Sequence, residues 1–309
     1  MMSSPSPLRL HDHAAVIVTF HPDLDVLRQQ LASLGSVGQV VLVDNGSPRE
    51  RQEALGVLAG HDARVALILL PDNEGLAAAL NLGIARASER GACSVLMLDQ
   101  DSLFSPDVPA RLLEALDTLQ RERGQLCCIG PALRDPQSGM SHGFHYIANG
   151  WRWARAFPAP SDPPFPVANL NGSGTTVSLE LLRKVGPLDA SLFIDHIDTD
   201  YSFRVLDQGF ALYGLPGVVF EHQMGERGRR IWLLGWRVWP ERSPQRHYYL
   251  FRNTVRLLGR RHVPMVWKSW AIAKLAAAML VVGLTDPRRK EQLRMMWKGI
   301  AEAMWGRSA

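Results

Sequence analysis

Two carboxylates one residue apart, Asp99 and Asp101, close the run Val95-Leu96-Met97-Leu98-Asp99-Gln100-Asp101-Ser102. Carboxylates at that spacing can hold a hard divalent cation and, through it, a diphosphate. The apolar residues before them read as a buried strand, so the pair stands where the strand stops. The same pattern occurs in solvated turns, and only its surroundings decide between the two. Asp44 ends another β-branched run, in Asp44-Asn45-Gly46-Ser47-Pro48. Further on, Asp198 and Asp200 fall in Phe193-Ile194-Asp195-His196-Ile197-Asp198-Thr199-Asp200-Tyr201-Ser202-Phe203-Arg204. Asp200 precedes Arg204 by four residues, the favourable order for a helical ion pair. Asp198 has Ser202 at that distance and no such partner. Projected from the helix start toward an acidic rim, its charge would need a function. His222 follows the last strand-like run; a lone histidine is most often structural, yet imidazole is a common metal ligand.

The elements that position these residues are readable from hydrophobic spacing. Strands are expected at 14–20, 39–43, 65–70 and 95–98, with a further short one at 127–130. Between them Leu24, Leu27, Leu31 and Leu34, then Leu76, Leu80, Ile84 and Ala87, recur at helical spacing. Helices are also expected at 49–59 and 106–121. This alternation argues for a mostly parallel, Rossmann-like α/β sheet with helices on both faces. Right-handed crossovers set the loops after Phe20, Asp44, Asp72 and Asp99 along one rim. Ligands bind at that rim in such sheets. Random solvated turns explain so many acidic or polar strand ends less well than a site does.

Past Pro131 the regularity fades. Residues 134–166 carry Gly, Pro, Ser and aromatics, and 156–166, with five prolines, are expected to be extended or looped. Asn171-Gly172-Ser173-Gly174 reads either as a close backbone approach to a ligand or as a tight bend before a strand. Short strands are expected at 210–215 and 218–220. From Arg227 the chain turns basic and aromatic, with Trp232, Trp236 and Trp239 among Arg229, Arg230 and Arg237. In the apolar stretch 265–284, the uncharged part, 275–284, is short of the ~20 residues of a membrane span. Tryptophan and cations beside apolar runs suit an interfacial helix; the alternative is packing on the domain or in a homodimer.

The composition agrees with a globular protein. Of 309 residues, 46% are hydrophobic and 21% charged, enough to bury a real core. A net charge of +4 suits an anionic partner without choosing among nucleotide, nucleic acid and membrane surface. Cys93, Cys127 and Cys128 make no disulfide framework and read as buried thiols in a reducing compartment. Residues 1–10 show no apolar core of signal-peptide length.

Taken in order, Thr19-Phe20, Val43-Asp44-Asn45-Gly46-Ser47, Asn73-Glu74-Gly75, Asp99-Gln100-Asp101-Ser102 and the segment from Phe193 through Asp198 to Arg204 and Gly209 resemble inverting glycosyltransferases of family 2, with the GT-A fold. The Asp-Gln-Asp-Ser form, Phe-Ile-Asp-x-x-Asp and the late His247-Tyr248-Tyr249-x2-Arg252-Asn253 are most similar to the bacterial rhamnosyltransferase branch. The match spans roughly 14–256. It implies a nucleotide-sugar site built from Thr19, Phe20, Asp44, Asn73, Gly75, Asp99, Gln100 and Gly174, with Asp44 meeting the base. It implies a divalent cation, Mg or Mn, at Asp101, with His222 where many members place a metal or diphosphate ligand. Asp198 takes the place of the general base. Ile197 stands where members often have Glu, and Asp200 where rhamnosyltransferase-like members often have Glu. The Gln-x-x-Arg-Trp motif of processive synthases is absent, which favours addition of one sugar per encounter.

The expected architecture is therefore a GT-A domain over 1–225, with a nucleotide-sugar half at about 12–130 and an acceptor half at 131–225, followed by a helical extension over 226–309. The expected reaction moves L-rhamnose from dTDP-L-rhamnose to a saccharide or lipid-linked saccharide in surface polysaccharide synthesis, at the inner face of the cytoplasmic membrane. No nucleic acid partner is expected. A family member using a UDP-hexose is the first alternative, and a nucleotide-sugar-binding protein without turnover the second. A nucleotidyltransferase is disfavoured by the lack of a Gly-x-Gly-x-x loop after the first strand.

Overall fold

The computed structural model describes residues 12–135, 139–221, 226–232 and 236–306, with the side chains of 222–240 outside the description. The first half alternates as expected. Strands β1 (His13–Thr19), β2 (Gln39–Asp44), β3 (Val65–Leu69) and β4 (Ser94–Asp99) are separated by helices α1 (Leu24–Ser33), α2 (Arg49–Gly60) and α3 (Leu76–Glu89). Helix α4 (Val108–Arg123) leads to β5 (Cys127–Arg134). β1, β2, β3 and β4 pair in parallel, with Thr19 opposite Asp44 and Val18 opposite Asp99. That register brings the polar strand ends to one rim.

The second half departs from the sequence reading. Residues to which the sequence reading gave no element form a hairpin, β6 (Phe144–Ala148) and β7 (Arg152–Ala156). β8 (Phe165–Pro166) and β9 (Thr176–Ser178) follow, then α5 (Leu179–Val185), a 3-10 turn at Ala190–Leu192 and α6 (Ile197–Asp207). The two short strands expected at 210–220 are one, β10 (Ala211–Glu221), bent by a bulge between Leu215 and Val219. The main sheet runs β3-β2-β1-β4-β9-β5-β10-β8. β9 enters antiparallel between β4 and β5, and this places the loop ahead of it against the carboxyl end of β4.

The C-terminal segment also differs. Its aromatic start is a two-stranded ribbon rather than helix, β11 (Glu226–Trp232) with β12 (Trp236–Glu241). Helices begin only afterwards: α7 (Pro244–Leu258), α8 (Met265–Thr285) and α9 (Arg289–Trp305). Leu257, Val263, Trp267 and Ala271 join the same buried cluster as Val16, Val41, Leu182 and Phe203. On length and composition α8 is sufficient to cross a membrane, contrary to the short span expected. Within it Lys268 donates to the Arg260 carbonyl at 2.7 Å and Lys274 lies 4.6 Å over the Trp270 ring. Cys127 and Cys128 are buried as expected, whereas Cys93 is exposed.

Candidate active site

A cleft of about 1280 Å³ opens at the polar strand ends. Thr19, Phe20, Asn73, Asp99, Gln100 and Asp101 line it from the first half of the chain, and Gly172, Asp195, Asp198, Arg242 and Arg246 from the second. The local structure explains how each is held.

Asp101 lies two residues beyond the end of β4, is exposed and meets no hydrogen-bond donor among the described residues. Asp99 is partly buried, and its backbone N–H donates to Ser173 Oγ at 3.2 Å. Ser173 Oγ in turn lies 2.5 Å from Ser102 Oγ. Among the described residues no three acidic, His or Cys side chains converge on one point. The carboxylates thus fit a cation that shares its coordination with diphosphate and water, and not a site closed by protein alone. His222 lies outside the described residues.

Asp198 enters from the first turn of α6. Its Oδ2 accepts from Gly172 N at 3.2 Å, and its Oδ1 from Thr199 N at 2.7 Å and Thr199 Oγ1 at 3.3 Å. Gly172 and Ser173 are neighbours, so one short loop ties Asp198 to the Asp99 backbone. Burial, helped by the charge of Asp99, pushes the Asp198 carboxyl up to about 6, against the pull of those hydrogen bonds. A carboxylate that titrates near neutrality, with no cation beside it, is suited to taking a proton.

Other expected site residues carry architectural duties. Asp44 is fully buried and accepts from Thr19 Oγ1, Ser47 N, Ser47 Oγ and Gln52 Nε2 at 2.6–3.1 Å. It sits beneath the cleft wall and not in the lining. Gln100 exchanges hydrogen bonds with the backbone of Phe20, receiving its N–H at 2.7 Å and donating to its carbonyl at 3.2 Å. Asn73 Oδ1 accepts from Asn45 Nδ2 and Gly75 N, both at 3.0 Å. Gly75, at φ +88°, passes so close to Phe193 that a Cβ would lie 2.7 Å from its ring. Gly174, at φ +86°, is packed in the same way on Pro131, 2.4 Å from where a Cβ would be. Its neighbours Gly172 and Thr175 line the cleft instead.

Sequence reasoning gave no function to the turn before α6 or to its clamp. Phe193, Asp195 and His196 all hold positive φ, at 63°, 65° and 64°. Side chains rarely adopt this conformation, and it persists only where the surroundings impose it. Asn253 supplies the constraint, donating through Nδ2 to the carbonyls of Leu192 and Ile194 at 2.7 Å and of Asp195 at 3.0 Å. Arg252 donates to the carbonyls of Ser191 and Leu192, and Tyr249 stacks on Phe193 at 4.8 Å. His196 reaches Thr254 Oγ1 at 3.0 Å, and burial holds its imidazole down to about 4. These contacts set the entry into α6, and with it the position of Asp198. The signal was the Tyr249-x2-Arg252-Asn253 motif, visible in the sequence but without a partner there.

Comparison with known proteins agrees with this geometry. The model of the family described as Glycosyl transferase family 2 matches residues 15–122. A dTDP-rhamnosyl transferase, RfbF, of Shigella flexneri is 29% identical over 293 residues, 94% of each chain. Among solved structures, GalNAc-T7 with UDP, GalNAc and Mn2+ superposes with a TM-score of 0.59 at 17% identity, over 93% of this chain; the chain spans about half, 54%, of that one. A mannosyltransferase of Pyrobaculum calidifontis in complex with GDP-Man and Mn2+ gives a TM-score of 0.55 at 14% identity, covering 96% and 88% of the two chains. Residues 15–122 thus match glycosyltransferase family 2, and sheet order, rim and solved neighbours give the chain a GT-A-like fold, with a dTDP-rhamnosyl transferase similar to it over nearly its whole length.

Proposed function

We propose that the chain transfers L-rhamnose from dTDP-L-rhamnose to a saccharide hydroxyl, with inversion and one sugar per encounter. The observation that carries the transfer chemistry is Asp198, unpaired with any cation and facing the cleft that Asp99 and Asp101 also line. The donor rests on the likeness to the Shigella flexneri dTDP-rhamnosyl transferase over nearly the whole of both chains. Asp198 removes the acceptor hydroxyl proton as the oxygen attacks the anomeric carbon. The bond from that carbon to the diphosphate oxygen breaks on the opposite face, so a single displacement inverts the centre. Asp101, with Asp99, would hold a divalent cation against the diphosphate, where it would offset the charge that builds on the leaving group. Asn73, Gln100 and Phe20 shape the nucleotide end; Asp44 and Thr19 keep that wall rigid from beneath.

The acceptor is proposed to be lipid-borne, with the enzyme docked on the membrane surface. Support comes from α8, whose outer face exposes Met265, Ile272, Leu280 and Leu284 without a charge among them. The basic run Arg288, Arg289 and Lys290 is exposed just beyond. Apolar side chains flanked by cations suit anionic lipid. Flotation with anionic vesicles at low salt tests docking; no flotation of the folded chain contradicts it.

A donor screen tests the function. UDP-, GDP- and dTDP-sugars are offered with magnesium or manganese, and nucleoside diphosphate release is measured. dTDP-L-rhamnose is expected to turn over fastest. Faster release from a UDP-hexose overturns the donor, and full activity in EDTA overturns the cation.

A further inference from the structure

The junction of β12 and α7 brings two guanidinium groups into the cleft. Arg246 is engaged: it donates from Nε to Asp195 Oδ2 at 3.1 Å and from Nη2 to Asp195 Oδ1 at 2.8 Å. Arg242 lines the same cleft, is partly buried and has no anionic partner among the described residues. A guanidinium is charged at any ordinary pH, so it cannot escape burial by losing its proton. Its surroundings compensate it only in part. Asp195 supports its charge but is bonded to Arg246, while Lys274 feels the positive charge of Arg242 as well as that of Arg155. Burial of Arg242 is therefore opposed by desolvation and by Arg246, and offset only by Asp195, whose two oxygens are already bonded to Arg246. Buried charges in proteins are paired or they bind something.

We propose that Arg242, with Arg246 beside it, forms a second anion subsite in the cleft, separate from the carboxylate rim, that takes a phosphoryl group of the acceptor. This rests on the glycosyl-transfer reading of the cleft. Guanidinium groups match phosphate oxygens in geometry and charge, and bind them in two-point fashion. The place fits an acceptor, because Asp195, which couples the two arginines, leads directly into α6 and Asp198. The same chemistry is offered by the donor's own diphosphate, and the test separates the two sources.

Hexyl phosphate, with hexanol as the uncharged control, is titrated into the full chain by ligand-observed NMR, with and without saturating dTDP and magnesium. Wild type is expected to bind hexyl phosphate and not hexanol, and to do so alongside dTDP. Arg242→Gln is expected to weaken hexyl phosphate about tenfold or more, with dTDP affinity unchanged within about twofold, and Arg242→Lys to recover part of the loss. If hexyl phosphate is displaced by dTDP and Arg242→Gln weakens both, the phosphoryl group belongs to the donor and the acceptor assignment is overturned. Unaltered hexyl phosphate binding in Arg242→Gln, with wild-type thermal unfolding, overturns the subsite itself. Nucleoside diphosphate release from the donor is measured on the same samples. Arg242-dependent binding without any release would sink the glycosyl-transfer reading and keep the subsite.

Discussion

Two carboxylates two residues apart on α6 have opposite surroundings. Asp198 faces the cleft, accepts only from neutral N–H and O–H groups, and feels the negative charge of Asp99. Asp200 is fully buried on the other face and is met by three nitrogen groups: Arg204 Nε at 2.9 Å, Arg260 Nη1 at 2.5 Å and His262 Nε2 at 2.8 Å. Arg260 also pairs with Asp189, so the cluster fastens α6 to the chain beyond α7. The difference teaches which carboxylate is available. One is left unpaired, as the proposed proton acceptor requires, and the other is consumed in joining the C-terminal helices to the sheet.

The contrast breaks most visibly in activity. Asp198→Asn should lower transfer by about 10²–10⁴-fold, the usual worth of a general base, with donor binding nearly intact. Steady-state kinetics with calorimetric titration of donor checks both halves of that statement. The next effect is on stability. Asp200→Asn leaves buried cationic partners without their anion, a loss of about 3–5 kcal/mol for such clusters. Chemical unfolding should show it, and whatever protein remains folded should still turn over.

The turn between these regions sharpens the comparison. Asn253→Ala removes the Nδ2 group that serves three carbonyls held in a strained turn, and Asn253→Asp replaces that amide by an acceptor. Each should cost roughly tenfold in kcat, in line with the effect of a small misplacement of a reacting group. Donor KM should move little, since Asn253 bonds to none of Phe20, Asn73 and Gln100 at the proposed nucleotide end. Equal losses in kcat and in donor affinity would mean that the clamp organises the whole cleft.

The smallest effect is a sign change. Because the folded state raises the Asp198 carboxyl above its usual value to about 6, the folded protein binds more protons than the unfolded chain between about pH 4 and 6. Stability contributed by that group is present below the unfolded value and is lost as pH rises through 6. Asp198→Asn should therefore raise Tm by a few degrees at neutral pH and leave it unchanged near pH 3. A lower Tm at neutral pH would assign Asp198 a structural role like that of Asp200.

The legible part of the molecule was the part with local causes. β1 to β4 are short apolar runs, all but β3 ending in a polar residue, and their parallel pairing follows from the helices between them. The Asp200–Arg204 pair was visible at i,i+4, but Arg260 and His262 were not, being sixty residues away with no local pattern. The hairpin β6–β7 was missed although Asn149-Gly150 marks it. Both hold positive φ, at 53° and 77°, as a tight hairpin turn demands. Proline and aromatic density around it masked that signal. Asp44 was readable as a strand-end carboxylate, but its four donors come from β1, α2 and its own loop, which no spacing rule connects. The apolar C-terminal run hid its ribbon because Trp, Val and Ile serve strand and interfacial helix equally well. Arg242 had no signal beyond its charge.

The measurement that tests the account most directly is the pH dependence of kcat/KM for donor turnover by wild type and Asp198→Asn. The free enzyme's base sets this profile. Wild type should lose activity about tenfold per pH unit below an apparent value near 6 and level off above it, and Asp198→Asn should lack that limb. A wild-type profile flat from about pH 5 to 8, or the same limb retained in Asp198→Asn, would contradict Asp198 as the proton acceptor.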